Sequence, residues 1–279
     1  MDRKLIAQDT LKYMQQGYYT INGNQVNIAE KQKYAEDRSV LTTPEQAEAE
    51  VKHIRVHSEG PLADCSVENV ATVKAILNLA RSGKEHVGVL NFASAKNPGG
   101  GFLNGAMAQE ESLAASSGLY GTQLRHERFY KANRACGSMM YTHHAIYSPN
   151  VVFFRDEKFN LLAEPVTASV LTLPAVNYGQ VVLKGEDTEQ ALRVMKERMR
   201  IALALFAKNG DKNLILGAFG CGVFKNDPVK VAGWWRALLV EERYGSLFEH
   251  ITFAVLDGSK NRACIKAFED AFGKENHHK

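Results

Sequence analysis

The sequence contains only four cysteines, Cys65, Cys136, Cys221 and Cys264, and no two of them form a CxxC pair. Their number and spacing argue against a disulfide framework or a zinc knuckle as the basis of the fold. Isolated cysteines are typical of proteins in a reducing compartment, so we expect a cytoplasmic protein. We expect no metal or other cofactor, and we interpret the histidine-containing end, residues 276–279, as a polar tail rather than a metal site.

Long apolar runs and a strong charge of either sign are also absent. No stretch approaches the roughly 18 apolar residues that suggest a membrane span, and the opening segment is amphipathic and charged, unlike a signal peptide. The formal charge of +3, from 34 basic and 31 acidic residues, is too small to indicate a nucleic-acid-binding surface. We therefore expect a protein that binds neither a membrane nor a specific nucleic-acid sequence. We also expect a monomer.

The first 50 residues predict a helical N-terminal extension. Leu5, Ile6, Leu11 and Met14 recur at helical spacing, a turn is predicted over residues 21–24, and the cap-like Thr43-Pro44 predicts another helix start. Strands and helices then alternate over residues 51–273, which we assign to a catalytic domain, and residues 274–279 form the polar tail.

This alternation predicts an α/β fold: a three-layer α/β/α sandwich around a mixed, largely parallel sheet. Strands are predicted at residues 53–57, 86–92, 150–154, 168–174, 213–219 and 251–256. Helices are predicted at residues 67–81 (with Ser66 as N-cap), 107–120, 122–133, 188–208 and 260–272, and after Asp227-Pro228. Ligands of such sheets bind beyond the carboxyl ends of the strands, which directs attention to the loops after Phe92 and Ala218.

Three consecutive glycines, Gly99, Gly100 and Gly101, follow the strand that ends at Phe92. Without Cβ atoms their backbone can adopt positive φ and approach a ligand closely, and consecutive N–H groups in such turns can bind an anion. A flexible surface loop is the alternative interpretation. Its position at a strand end, shortly before a glutamine and two acids, favours a binding loop.

That acidic segment is Gln109-Glu110-Glu111. Two glutamates at a helix start can simply complement the helix dipole, which is the alternative to a catalytic role. Adjacent helical residues point about 100° apart, so the two carboxylates cannot perform the same task. One can hold sugar hydroxyls while the other transfers a proton, and a raised pKa of such a glutamate would suit an acid.

The second loop, residues 217–228, reads GAFGCGVFKNDP and also runs from a buried strand into a helix. No GK[ST] follows its glycines, and its similarity to GxGxxG is loose, so ATPase and Rossmann motifs are not indicated. Glycines next to a helix start are nevertheless typical of phosphate binding. Phe224 can contact a ribose or base, or belong to the core. We interpret Cys221 as a small residue in a tight turn rather than a nucleophile.

The combination Asn91-Phe92-Ala93, Asn97-Pro98, the three glycines and, seven residues later, Gln109-Glu110-Glu111 resembles the signature of poly(ADP-ribose) glycohydrolases. The second loop is similar to the diphosphate-binding loop of the macrodomain superfamily. The length of the chain and its N-terminal helices resemble the bacterial-type branch, and the resemblance covers roughly residues 1–270.

The resemblance implies hydrolysis of the ribose–ribose bond of poly(ADP-ribose), or of ADP-ribosylated proteins, with ADP-ribose as product. Glu111 would protonate the leaving 2′-oxygen and then activate water, Glu110 would hold hydroxyls of the ribose under attack, and Gln109 would orient this part of the site. The remaining implied contacts are Gly99, Gly100 and Gly101 on the diphosphate and the attacked ribose, Asn91 and Asn97 on ribose or loop, Gly220, Cys221, Gly222 and Val223 on the diphosphate, and Phe224 near the adenosine ribose.

Two alternatives stay open beside this enzyme: a macrodomain that only binds ADP-ribose, and a hydrolase of mono-ADP-ribosylated substrates. The paired glutamates favour the polymer hydrolase. We expect release of ADP-ribose from chain ends, while the sequence leaves cleavage at internal bonds open. Asp257, just after the last predicted strand, is a candidate contact for adenine.

Overall fold

A computed structural model describes residues 2–273, so the predicted polar tail at 274–279 lies outside the described residues. The helices are α1 (Arg3–Gln16), α2 (Ala29–Arg38), α3 (Pro44–His53), α4 (Thr72–Arg81), α5 (Gln109–Ser116), α6 (Leu119–Leu124), α7 (Glu127–Ala135), α8 (Tyr178–Leu183), α9 (Thr188–Lys208), α10 (Pro228–Arg236) and α11 (Ala263–Phe272). The strands are β1 (Tyr18–Ile21), β2 (Asn24–Asn27), β3 (Val40–Thr42), β4 (Asp64–Glu68), β5 (Val87–Phe92), β6 (Ala145–Arg155), β7 (Leu161–Leu173), β8 (Asn213–Leu216) and β9 (His250–Ala254).

Seven strands form the central sheet in the order β3-β6-β7-β5-β8-β9-β4. The five strands from β7 to β4 run parallel to their neighbours, whereas β6 is antiparallel to both β3 and β7. The predicted mixed, largely parallel sheet is therefore confirmed. Because β5 lies between β7 and β8, the loops that leave these three strands meet at one edge of the sheet.

Helices cover both faces of the sheet, as the three-layer prediction requires. Alternate side chains of β5 face opposite sides: Val87 and Val89 pack in one apolar cluster with side chains of α4, and Leu90 packs in another with side chains of α9, α10 and α11. Among residues 2–273, no helix is both long and apolar enough to cross a membrane.

Local signals explain several element boundaries. Asp187 caps α9, which spans the predicted residues 188–208, and Asp227 caps α10 with Pro228 in its first turn. Thr43 and Gln46 form a complete capping box at the start of α3. A tight hairpin of β1 and β2 contains the turn predicted at residues 21–24.

The N-terminal extension is more than helical, because β3 pairs with β6 and so belongs to the main sheet. The prediction of a strand at residues 53–57 is wrong: α3 extends through His53, and the chain then runs without strand pairing. The predicted helix start at Ser66 is also wrong, because Ser66 lies in β4 and pairs with Thr252 of β9. Helix α4 begins only at Thr72. The segment around Ser66 is a strand because it pairs with β9, which is distant in the sequence. The boundary near residue 50 between extension and catalytic domain stays a prediction.

Candidate active site

The loops after β5 and β8 line two neighbouring cavities at the carboxyl edge of the sheet. A cavity of about 410 Å³ contains both Glu110 and Glu111, together with residues of both loops. A second cavity of about 510 Å³ reaches Asp257 beyond β9. Phe92 and Gly222 line both cavities, so the two form adjoining parts of one cleft. The two sequence-predicted loops are thus brought together.

Glu110 is a buried carboxylate with only 3% of its surface exposed. Its Oε1 accepts hydrogen bonds from Asn91 Nδ2 (3.1 Å) and Gln123 Nε2 (2.8 Å), and its Oε2 accepts one from the backbone N–H of Ser94 (2.6 Å). Burial raises the pKa of Glu110 to about 7, although these three donors act in the opposite direction. The raised pKa, which was expected to suit an acid, therefore belongs to Glu110, the glutamate to which the resemblance assigns the holding of hydroxyl groups.

Glu111 points elsewhere and is half-buried. Its Oε1 accepts a hydrogen bond from the N–H of Gly101 (2.9 Å), and its Oε2 accepts one from the N–H of Ala108 (3.0 Å), the residue before α5. The second bond caps the helix, so the helix-start interpretation is partly correct. The first bond ties the carboxylate to the glycine loop. The different partners of the two glutamates agree with the expected 100° separation of their side chains.

Gln109 joins α5 to the end of β5. Its Oε1 accepts a hydrogen bond from the N–H of Phe92, and its Nε2 donates one to the carbonyl of Leu90, both at 2.8 Å. The side-chain amide thus imitates one residue of a neighbouring strand. Because both ends of the amide are engaged, Gln109 fixes the start of α5, and with it the two glutamates, against the sheet.

The glycine loop contacts the glutamates. Gly99 and Gly100 have φ values of +64° and +60°, which a residue with a Cβ rarely adopts. A Cβ on Gly100 would also lie 2.4 Å from Oε1 of Glu111. The N–H of Gly100 donates to the carbonyl of Asn97, and the N–H of Gly101 donates to Glu111. These two N–H groups are paired within the protein here, and their contact with a diphosphate stays a prediction.

The second loop does offer unpaired donors. The backbone N–H groups of Gly222, Val223 and Phe224 form no hydrogen bond with any residue between 2 and 273, and all three residues line the glutamate cavity. A Cβ on Gly222 would meet open space, whereas a Cβ on Gly220 (φ +73°) would lie 2.6 Å from the Cβ of Ala175. Gly220 is thus required by the fold, and Gly222 leaves room within the cleft.

Aromatic rings close the same cavity on one side. Phe224 is half-buried and packs against the main apolar core, so its two sequence interpretations both hold in part. Its ring centroid lies 6.1 Å from that of Tyr141. Both residues line the cavity of the glutamates, and neither lines the one that reaches Asp257.

The two predicted asparagines differ in position. Asn91 is fully buried beneath Glu110, and its Nδ2 also donates to Oγ1 of Thr172 (3.1 Å). It therefore positions Glu110 from below rather than facing the cavity. Asn97 is exposed on the first loop, where its carbonyl accepts the N–H of Gly100. The backbone of Asn97 thus fixes the loop, and a contact of its side chain with a ribose stays a prediction, since Asn97 lines the cavity.

Cys221 and Asp257 are both occupied by structural contacts. The thiol of Cys221 donates to the carbonyl of Phe219 (3.8 Å), and the neighbouring Cys264 together with burial raises the pKa of Cys221, which suits a neutral thiol rather than a nucleophile. The carboxylate of Asp257 accepts hydrogen bonds from Ser259 and from the N–H groups of Cys264 and Ile265 at the start of α11. These bonds lower the pKa of Asp257 to about 2.

Sequence reasoning missed Ser94, Gln123 and Tyr141. Ser94 contributes a backbone N–H, which no sequence motif identifies. Gln123 and Tyr141 lie on separate elements that only the tertiary fold brings to the cleft. Gln123 does not lie on the helix of the two glutamates, because α5 ends at Ser116. It lies on α6, from which its side chain reaches Glu110.

Comparisons with known proteins point to one family. A family model for the catalytic domain of microbial-type PARG matches residues 7–156. The structure of poly(ADP-ribose) glycohydrolase (PARG) from Thermomonospora curvata is similar, with 37% identity, a TM-score of 0.93, and coverage of 97% of this chain and 99% of that one.

Ligand-bound structures are similar as well. The Thermomonospora curvata enzyme bound to the inhibitor ADP-HPD has 35% identity and a TM-score of 0.88, with 97% of this chain and 99% of that chain covered. PARG from Deinococcus radiodurans in complex with ADP-ribose has 41% identity and a TM-score of 0.82, with 89% and 99% covered. No curated protein sequence matched the chain. The chain belongs to the microbial-type poly(ADP-ribose) glycohydrolase family.

Proposed function

We propose that this protein hydrolyses the ribose–ribose O-glycosidic bonds of poly(ADP-ribose) and releases ADP-ribose. The observation that carries the proposal is the pairing of one buried and one half-buried glutamate beside a row of unpaired backbone N–H groups. Most glycoside hydrolases use a pair of carboxyl groups for catalysis. Unpaired N–H groups in a loop are a site for an anion, and ADP-ribose carries a diphosphate.

Glu111 is the proposed acid and base. In its protonated form it donates a proton to the 2′-oxygen of the leaving ribose as the bond from this oxygen to the anomeric carbon breaks. The resulting Glu111 carboxylate then takes a proton from a water molecule, whose oxygen bonds to the oxocarbenium-like carbon. Two properties support this choice: Glu111 is half-buried, and it is held only by backbone N–H groups, so its carboxyl can exchange partners during the reaction.

Glu110 is the proposed holder of hydroxyl groups on the ribose under attack. Three donors fix its carboxylate, which keeps it from following the leaving group. An acceptor fixed in this way can orient a sugar without reorganising in the transition state. Asn91, Gln123 and Gln109 support it indirectly, because they hold Glu110 and the start of α5.

We place the diphosphate on the second loop, at the N–H groups of Gly222, Val223 and Phe224. Cys221 and Gly220 shape that loop. Phe224 shares the cavity of the glutamates, so we place its ring beside the ribose under attack rather than beside the adenosine ribose. The first glycine loop holds Glu111 and closes the cavity near the reacting bond.

Release of ADP-ribose from chain ends is part of this proposal. We also propose that the protein is a monomer. The four cysteines are free, which supports a reducing, cytoplasmic compartment.

The test is release of ADP-ribose from purified poly(ADP-ribose), with mono-ADP-ribosylated protein as a second substrate. We expect ADP-ribose monomers as the main product from the polymer. Binding of ADP-ribose without any turnover would instead identify a reader, and turnover of the mono-ADP-ribosylated protein alone would assign a different substrate. Oligomeric products at early times would contradict release from chain ends.

A further inference from the structure

Tyr141 combines a strained backbone with a side chain that makes few structural contacts. Its φ of +58° lies in the left-handed region, which is rare and costly for a bulky residue. Its ring contacts Phe224, and its hydroxyl forms no hydrogen bond with any residue in the described part of the chain. It lines the cavity that contains Glu110 and Glu111. Strain that persists without a structural benefit commonly marks a functional position.

A buried arginine holds the backbone at this position. Arg198 of α9 is 0% exposed, and its Nη1 donates to the carbonyls of Met140 (2.7 Å) and Pro174 (3.0 Å). Its Nη2 donates to the carbonyl of Tyr141 itself (3.3 Å). No acidic side chain among residues 2–273 pairs with this guanidinium, although burying a charge without a counter-charge is unfavourable. The hydrogen bonds of Arg198 thus connect the segment around Tyr141 to the end of β7.

Two further contacts hold the same segment from other elements. Oδ1 of Asn133 in α7 accepts hydrogen bonds from both the N–H and the hydroxyl of Thr142, each at 2.9 Å. The carboxylate of Glu186 accepts the N–H of Met139 (3.0 Å). The backbone on both sides of Tyr141 is therefore fixed, so the direction of its side chain is fixed by the fold.

The spacing of the two rings limits what they can bind. Aromatic rings in direct contact have centroids about 4.5–7 Å apart, and the rings of Tyr141 and Phe224 are 6.1 Å apart with a 47° angle between their planes. No base can lie between them. Together they present a single apolar wall with one hydroxyl, which suits the face and hydroxyl groups of a ribose.

We propose that Tyr141 contacts the substrate at the ribose under attack, through its ring and through a hydrogen bond of its hydroxyl to a ribose hydroxyl, and that Arg198 is the positioning residue that holds it there. This rests on the proposed function, because it assumes that the glutamate cavity receives that ribose. Tyr141 and Glu110 line the same cavity, so a ribose bound there contacts both a fixed carboxylate and a fixed aromatic wall.

The test compares Tyr141→Phe and Tyr141→Ala with the wild type and with Tyr34→Ala, a matched change at an exposed tyrosine of α2. Calorimetry gives the Kd for ADP-ribose, steady-state assays give kcat and KM on poly(ADP-ribose), and thermal scans give Tm. We expect Tyr141→Phe to raise Kd about three- to tenfold, as for one neutral hydrogen bond, and Tyr141→Ala to raise Kd and KM further, with the Tm of both near that of Tyr34→Ala. Wild-type Kd and KM in Tyr141→Ala would overturn the proposal.

Arg198→Lys tests the positioning role, alone and combined with Tyr141→Ala. If Arg198 acts on binding through Tyr141, Arg198→Lys raises the Kd for ADP-ribose in the wild-type background and causes no further increase in Kd in Tyr141→Ala. Additive losses would overturn its role, and a variant that does not fold leaves the Tyr141 substitutions as the deciding measurement. The Kd measurements do not require turnover, so a wild type that binds ADP-ribose but cleaves no polymer would contradict the proposed function while the contact of Tyr141 is still measured.

Discussion

Replacing Glu110 with glutamine should change how stability depends on pH. The pKa of Glu110 is about 7 in the folded protein against an ordinary value of 4.5, and burial is the main cause. Between these two values the folded state keeps a proton that the unfolded state has lost. The stabilisation is therefore fully present below pH 4.5, and it is lost as the pH rises through about 7.

The size of the effect follows from the same two values. Each pH unit between them corresponds to about 1.4 kcal/mol, so the full change is about 3 kcal/mol. For a chain of this size, such a change corresponds to roughly 6–12 °C in Tm. Because glutamine does not titrate, Glu110→Gln lacks this loss, and the difference in stability between the variant and the wild type should grow in favour of the variant between about pH 5 and pH 8.

The assay is thermal or urea unfolding of both proteins at several values between pH 5 and pH 8. The difference between them isolates Glu110 from other buried groups, notably Asp211, whose pKa burial also raises to about 7. Asp211→Asn serves as a second variant, and it should remove its own part of the pH dependence. A constant difference between Glu110→Gln and the wild type over this range would refute a buried carboxyl with a raised pKa.

Three further predictions concern the two glycine loops and the start of α5. Gly222→Ala places a methyl group in open space, and Gly137→Ala is a control with similarly free space. The two variants should have Tm values within about 1 °C of each other, but Gly222→Ala should raise the Kd for ADP-ribose in calorimetry. Equal Kd values would exclude this site for the diphosphate. Gly100→Val should reduce turnover more than affinity, because its Cβ meets Oε1 of Glu111, and a loss of affinity alone would contradict this. Gln109→Ala should lower the free energy of unfolding by about 1–3 kcal/mol, because it leaves two backbone groups of β5 unpaired; an unchanged urea midpoint would contradict it.

Local signals made much of the fold predictable. The helix at 188–208 was placed correctly because its apolar period is long and Asp187 caps it, and Asp227-Pro228 marked the start of α10 in the same way. Such signals act within a few residues of the boundary that they set. Segment 64–68 has no comparable signal, and it is a strand because β9 lies beside it. For residues 64–68, pairing with β9 therefore outweighed the local sequence pattern that predicted a helix start.

The site was predictable as a location more than as an arrangement. Glycine loops at two strand ends, with Glu110 and Glu111 close to one of them, indicated the cleft. The sequence could not indicate which glutamate is buried, because that depends on Asn91 and Gln123 from other elements. It also could not show that the N–H of Gly101 is occupied by Glu111 rather than offered to a ligand.

The role of Glu111 is tested most directly by Glu111→Ala, with turnover of poly(ADP-ribose) and calorimetric affinity for ADP-ribose measured on the same preparation. General acid–base catalysis typically contributes about 10²–10⁴-fold, so we predict a loss of kcat of at least that size, with the Kd for ADP-ribose within about tenfold of the wild type. Turnover at the wild-type rate in Glu111→Ala would contradict the assignment of Glu111 as the acid and base.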